Sequence, residues 1–176
     1  QNCFDAADAA FGVAWEVQYA LERLMAAGRA RPAIIVGVWN LPMRRYLEYR
    51  PAKPFRYLSQ PAREVVTAGL GGMPDSDAYL AFLVAELKPF IDATYRTRPG
   101  RDDTFIMGSS MGGLISLYAL CEYPDVYGGA ACVSTHWPAV VDLTLRNGFA
   151  HFKAHVVIFV SALVVWLPVL SPLPEV

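Results

Sequence analysis

Three short apolar runs limit the architectures open to this chain. Residues 33–39, 104–107 and 129–134 are nearly continuous in apolar or small side chains, and the first is rich in β-branched residues. Runs of this kind read as strands buried on both faces, the habit of parallel sheets covered by helices, whereas an antiparallel sheet with one wet face alternates apolar and polar residues. Helical spacing fills the intervals. Val17, Leu21, Leu24 and Met25 recur at the helix period within residues 13–27, and Gly28 follows where a helix stops, so a helix with one buried stripe is expected. Leu80, Leu83, Val84, Leu87 and Ile91 form a second stripe that runs on toward Tyr95, with Asp75 or Ser76 as its cap and Pro89 as an expected kink. Residues 114–120 predict a third helix, ended by Pro124. Helix and strand alternate, which is the pattern of a doubly wound α/β domain.

Residues 40–75 break that alternation. Pro42, Pro51, Pro54, Pro61 and Pro74, with Gly69, Gly71 and Gly72, interrupt any period, and Tyr46, Tyr49, Phe55 and Tyr57 lie scattered between arginines. A loop of this length inside a compact domain usually serves a pocket or a lid, and that is the expectation here. The Gly69–Gly72 cluster fits neither phosphate-loop pattern and reads as a flexible turn.

Composition narrows the function classes. The chain has 176 residues, 55% of them hydrophobic and 18% charged, with a formal net charge of −1. Intrinsic disorder is excluded by that apolar fraction, and the near-neutral charge lacks the basic footprint of a nucleic-acid binder. One domain over residues 1–176 is the expectation from length. Cys3, Cys121 and Cys132 show no CxxC spacing and no His/Cys cluster, so neither a disulfide framework nor a metal site is expected, and the reading leans to a reducing, cytoplasmic setting. No cofactor motif is present. Residues 156–170 form an apolar run broken only by Ser161 and Pro168, but a 15-residue helix would span about 22 Å against a hydrocarbon core of about 30 Å. A buried strand with core-packing residues is therefore expected there rather than a membrane span.

Chemistry concentrates between the strand ending at Met107 and the helix that follows. Gly108, Ser109, Ser110, Met111 and Gly112 form a G-x-S-x-G pentapeptide in strand, turn, helix context. Such a turn holds the serine in a strained conformation with its hydroxyl exposed, and the flanking glycines let strand and helix approach. The hydroxyl of Ser110 then sits at a helix N-terminus, and the Met111 N–H points to where an oxyanion would develop.

The segment from Phe105 through Leu114 resembles the nucleophile region of the putative-esterase family of α/β-hydrolases, which includes enterochelin-esterase-like enzymes and S-formylglutathione hydrolases. Gln1 and Asn2 followed by Phe4 and Asp5, Arg31 and Pro32 leading into Ile34, Ile35, Val36 and Gly37, and the stretch from Glu86 to Asp92 are similar to the same family. The resemblance covers residues 1–138, implies that the family's start lies upstream of Gln1, and gives way to a divergent tail after about residue 139. It implies an α/β-hydrolase fold, a mostly parallel sheet with helices on both faces in three layers, here incomplete. It further implies hydrolysis of small carboxylic esters through acyl-Ser110, with the Gln1 N–H as second oxyanion donor beside that of Met111.

A serine needs a histidine to take its proton and a carboxylate to orient that histidine. His136 follows a strand and is read, with Trp137, as lining the substrate pocket rather than as the base, because the order in this fold is Ser, acid, His. Asp125 or Asp142 could precede His151 or His155 in that order, but both aspartates read more simply as solvated positions, and the run from His155 to Pro168 holds no carboxylate. Acid and base are thus not assigned. The other reading left open is a hydrolase-like scaffold that binds without turnover.

Overall fold

A computed structural model of the chain describes residues 4, 5, 7, 9 and 12–137. The expectations for Gln1, Asn2 and Cys3, for Asp142, His151 and His155, and for the apolar run 156–170 lie outside the described residues.

The centre is a β-α-β unit. Strand β1 (Phe105–Ser109) pairs in parallel with β2 (Gly129–Val133), with Phe105 opposite Gly129 and Ser109 opposite Val133. Between them runs the 12-residue helix α7 (Met111–Glu122), which packs on both strands. Because α7 is apolar on nearly every side, it cannot sit at a surface, and Met111, Leu114, Ile115, Tyr118 and Ala119 are all buried. Around it gather Tyr49, Leu80, Leu83 and Tyr127 to complete the core. Leu80 is wholly enclosed, a burial that contributes about 1.5–3 kcal/mol. Both predicted strands at 104–107 and 129–134 are present within a residue or two of their expected bounds, and together with the helices they make an α/β structure with a small parallel sheet.

Burial of those strands differs from expectation. Ile106 packs toward the core, whereas Phe105 and Met107, on the opposite face, are 67% and 49% exposed. One face of the sheet is covered by α7; the other is open among the described residues.

The expected strand at residues 33–39 is absent. No residue of that run joins a ladder, and Ile34, Ile35, Val36 and Trp39 stand exposed, while Val38 alone packs against the core. A β-branched run favours strand geometry, but a strand exists only where a neighbouring strand takes its hydrogen bonds, and no described strand lies alongside. Arg31, ion-paired with Asp103 at 2.8 Å, tethers the start of this run near the segment that leads into β1.

Helix α1 (Val17–Ala26) forms where predicted. Gly28, at φ 67°, closes it with paired bonds, its own N–H to the Met25 carbonyl and that of Arg29 to the Leu24 carbonyl. The expected buried stripe is not seen. Val17 and Leu21 are only half-buried, and Leu24 and Met25 are exposed, because no described element packs squarely on that face.

Residues 40–75 are not a loop. They contain α2 (Arg45–Glu48), α3 (Ala52–Phe55) and α4 (Gln60–Leu70). The prolines that read as breakers mostly act as starters: Pro51 precedes α3, and Pro61 lies in the first turn of α4, where an N–H has no helical partner to lose. The glycine cluster ends α4 rather than forming a free turn, with Gly69 still helical and Gly71 left-handed.

Helix α5 (Ser76–Phe82) continues through a π turn (Leu83–Leu87) into α6 (Lys88–Thr94). Asp75 precedes the first turn, although its carboxylate is engaged by Arg44 at 2.6 Å instead of capping the helix. Pro89 falls in the first turn of α6, directly after the widened π turn. The proline ring needs space where the preceding turn's carbonyl would sit, and local widening of the helix provides it.

Candidate active site at the turn between β1 and α7

Ser110 joins β1 to α7 with φ 56° and ψ −119°. A side-chain-bearing residue seldom occupies that region, and holding it there costs about 1–3 kcal/mol that surrounding contacts must offset. The contacts are on both sides of the residue. Its N–H donates to the Val133 carbonyl at 3.0 Å, and its carbonyl accepts from the N–H groups of Gly113, Leu114 and His136 at 3.1, 3.2 and 3.1 Å.

The close approach of strand and helix that this turn demands depends on Gly108. A Cβ there would lie 2.3 Å from the Gly112 carbonyl oxygen and 2.8 Å from its Cα, contacts with backbone that no rotamer can relieve. Gly112 supplies that near backbone, but a Cβ on Gly112 itself would meet nothing within 4 Å. The second tight position is Gly113, where a Cβ would fall 2.6 Å from the Thr135 hydroxyl oxygen.

The Ser110 side chain is half-buried and uncommitted. Although Ser110 is the residue that caps α7, its hydroxyl makes no capping bond and no hydrogen bond to another described residue. Met111 is anchored by a side chain that is 1% exposed in the core, and its N–H, in the first turn of α7, meets no acceptor among the described residues. A hydroxyl on a strained turn beside an unpartnered amide can accept a carbonyl group and hydrogen-bond the oxygen as it becomes negative.

Of the other residues singled out by sequence, His136 lies beside this turn, joined to it through its backbone N–H rather than its ring. Trp137 packs partly against the core cluster. Two cavities of about 710 and 410 Å³ lie elsewhere. The larger lies between α3, α4 and the segment after α4, against Phe55, Arg63, Thr67 and Met73; the smaller lies on the β1 and β2 residues Phe105, Met107 and Ala131. Segment 40–75 thus borders a shallow, open recess through its helices, and His136 and Trp137 do not line it. Asp125 is exposed just after α7.

No group of three or more His, Cys, Asp and Glu side chains suited to a metal ion occurs among the described residues, and no described helix is long and apolar enough to cross a membrane. Cys121 and Cys132 are free thiols; burial pushes the Cys132 thiol up, and the Cys121 thiol adds to the shift. Sequence reasoning passed over Gly113 and the turn after β2. The doubled glycine at 112 and 113 was the signal, since a single glycine satisfies the motif.

A strained serine turn between a parallel strand and a helix is a feature that α/β-hydrolases use. A family model described as Putative esterase matches residues 4–167, and the chain belongs to that family. The matched range extends past residue 139 into the tail, as far as residue 167. Ester hydrolysis, in general terms, is the activity this membership supports. No curated protein and no solved structure matches the chain.

Proposed function

We propose that the chain is a serine carboxylic-ester hydrolase with a three-layer α/β-hydrolase fold over a single domain, acting on small-molecule esters. The observation that carries this reading is Ser110 itself, strained between β1 and α7 with its hydroxyl free beside the unpartnered Met111 N–H. In the first step the Ser110 oxygen attacks the ester carbonyl while a general base takes the hydroxyl proton. The negative oxygen of the tetrahedral intermediate is held by the Met111 N–H and, as the family resemblance implies, by that of Gln1. Collapse of the intermediate expels the alcohol, protonated by the base, and leaves acyl-Ser110. Water then attacks the acyl carbon, and the acid is released as the serine regains its proton. His136 and Trp137, next to the turn, face the bound ester in this reading.

A second reading, a hydrolase-like scaffold without turnover, is favoured by one observation. Among the described residues no imidazole reaches the Ser110 hydroxyl, because His136 meets Ser110 only through its backbone. Treatment of the full chain with a fluorophosphonate probe, beside Ser110→Ala, separates the two. Labelling that depends on Ser110, with hydrolysis of p-nitrophenyl acetate lost in the variant, is the expected result; a folded wild type that takes no label would leave the scaffold reading standing.

A further inference from the structure

Among the described residues only three non-glycine residues have positive φ, and two of them are neighbours in space: Ser110 is hydrogen-bonded to Val133 and His136, the residues on either side of Ser134 and Thr135. Ser134 follows β2 at φ 44°. The reversal matters because of what flanks it. Val133, before Ser134, accepts from the Ser110 N–H, and His136, after it, donates to the Ser110 carbonyl. These two bonds hold the N–H and the carbonyl of one residue from the side of β2, while Gly113 and Leu114 hold the same carbonyl from the helix, and together they constrain its φ and ψ. A β2 that ran straight on would lose its partner where β1 gives way to α7, and residue 136 would be carried away from the turn.

Thr135 adds a third contact. Its hydroxyl is enclosed against the first turn of α7, close enough that a Cβ on Gly113 would sit 2.6 Å from it, and it has no hydrogen-bond partner among the described residues. A buried hydroxyl without a partner is unfavourable in itself, so its position reflects the path of the turn rather than a bond of its own.

We propose that the turn leaving β2, residues 134–136, is a positioning device for the Ser110 nucleophile, with the left-handed backbone of Ser134 as its pivot. This rests on the reading of Ser110 as the nucleophile. Ser134 is a positioning residue, exposed in its side chain, so substitutions there change backbone preference and little packing.

The test compares Ser134→Gly, which adopts positive φ freely, with Ser134→Val, which resists it, in the full chain. The Val variant is expected to react with the fluorophosphonate at least about tenfold more slowly than the Gly variant, and its kcat for p-nitrophenyl acetate to fall while KM stays within about twofold. A folded Val variant that reacts as fast as the Gly variant overturns the proposal. Should the Val variant fail to melt cooperatively, Ser134→Asn against Ser134→Ala makes the same comparison, since Asn tolerates this conformation and Ala does not; equal rates again overturn it. A wild type that takes no label at all defeats the nucleophile reading instead. The turn is then tested by amide hydrogen exchange: faster exchange at Ser110 and His136 in the Val variant than in the Gly variant supports the positioning role, and equal exchange removes it.

Discussion

Gly108 and Gly112 stand two residues either side of Ser110, and their backbones meet in space, yet the demand on them is unequal. Alanine at 108 drives its Cβ into the Gly112 backbone at 2.3–2.8 Å, so strand and helix must separate. Gly108→Ala is expected to cost at least about 1–3 kcal/mol, read as a fall in Tm, with loss of whatever chemistry Ser110 performs. Alanine at 112 points into open space, within a helix where Ala is favoured over Gly by up to about 1 kcal/mol. Gly112→Ala is therefore expected to melt at or above the wild-type temperature, and a fall comparable to that of Gly108→Ala would show that the two glycines act alike. Ser110 was legible in the sequence because its neighbours are short-range constraints: a strand, a tight turn and a helix start written in consecutive residues. Gly113 was announced only by the doubled glycine, and Ser134 by nothing, because the Thr135 hydroxyl against Gly113 and the turn around Ser134 come from a segment distant in sequence.

At the scale of elements, helices were legible where one apolar stripe repeats and obscured where proline intervenes. The stripe from Leu80 to Ile91 became α5, a π turn and α6, while Pro51 and Pro61 concealed α3 and α4 because proline reads as a breaker unless its place in the first turn is known. Long-range side-chain bonds then hold these elements together. Tyr118 on α7 donates to the Asp77 carboxylate on α5 at 2.6 Å and accepts the Lys53 N–H of α3, and burial followed by that carboxylate contact pushes its phenol above the usual range. Tyr118→Phe leaves the Lys53 N–H without its acceptor, and a loss of about 1–3 kcal/mol in denaturant unfolding is expected. At the far end of α6, Asp92 accepts from Lys88 at 2.6 Å and from Thr97 at 2.7 Å, and the Lys88 bond above all holds its carboxyl below the ordinary value of 3.8. A carboxyl lowered on folding stabilises above its unfolded value and loses that contribution as pH falls through the folded one. The Tm difference between wild type and Asp92→Asn is thus expected to be constant from neutral pH down toward 3.8 and to shrink only below it. A difference that grows on acidification would contradict the assignment.

The whole molecule shows where sequence patterning misleads. Residues 33–39 carry a strong strand pattern, and 104–107 a pattern of burial on two faces, but pairing and burial are supplied by neighbours distant in sequence, and only β1 and β2 find each other among the described residues. Parallel sheets are ordinarily covered on both sides, so the face of β1 left open among the described residues is the departure with a physical consequence. Phe105 and Met107 present apolar surface at an open recess of about 410 Å³, and Val133, near the end of β2, is 42% exposed, so this side of the sheet carries an apolar patch. Such a patch binds hydrophobic dyes and promotes association. Because both side chains are largely outside the core, Phe105→Thr with Met107→Thr is expected to lower 8-anilinonaphthalene-1-sulfonate fluorescence and light scattering, with a stability change under about 1 kcal/mol. Threonine keeps the β-branching that suits a strand, so pairing with β2 is preserved. A double variant that loses several kcal/mol and binds more dye would mean that this face is covered in the folded chain and that its two side chains belong to a second layer of core.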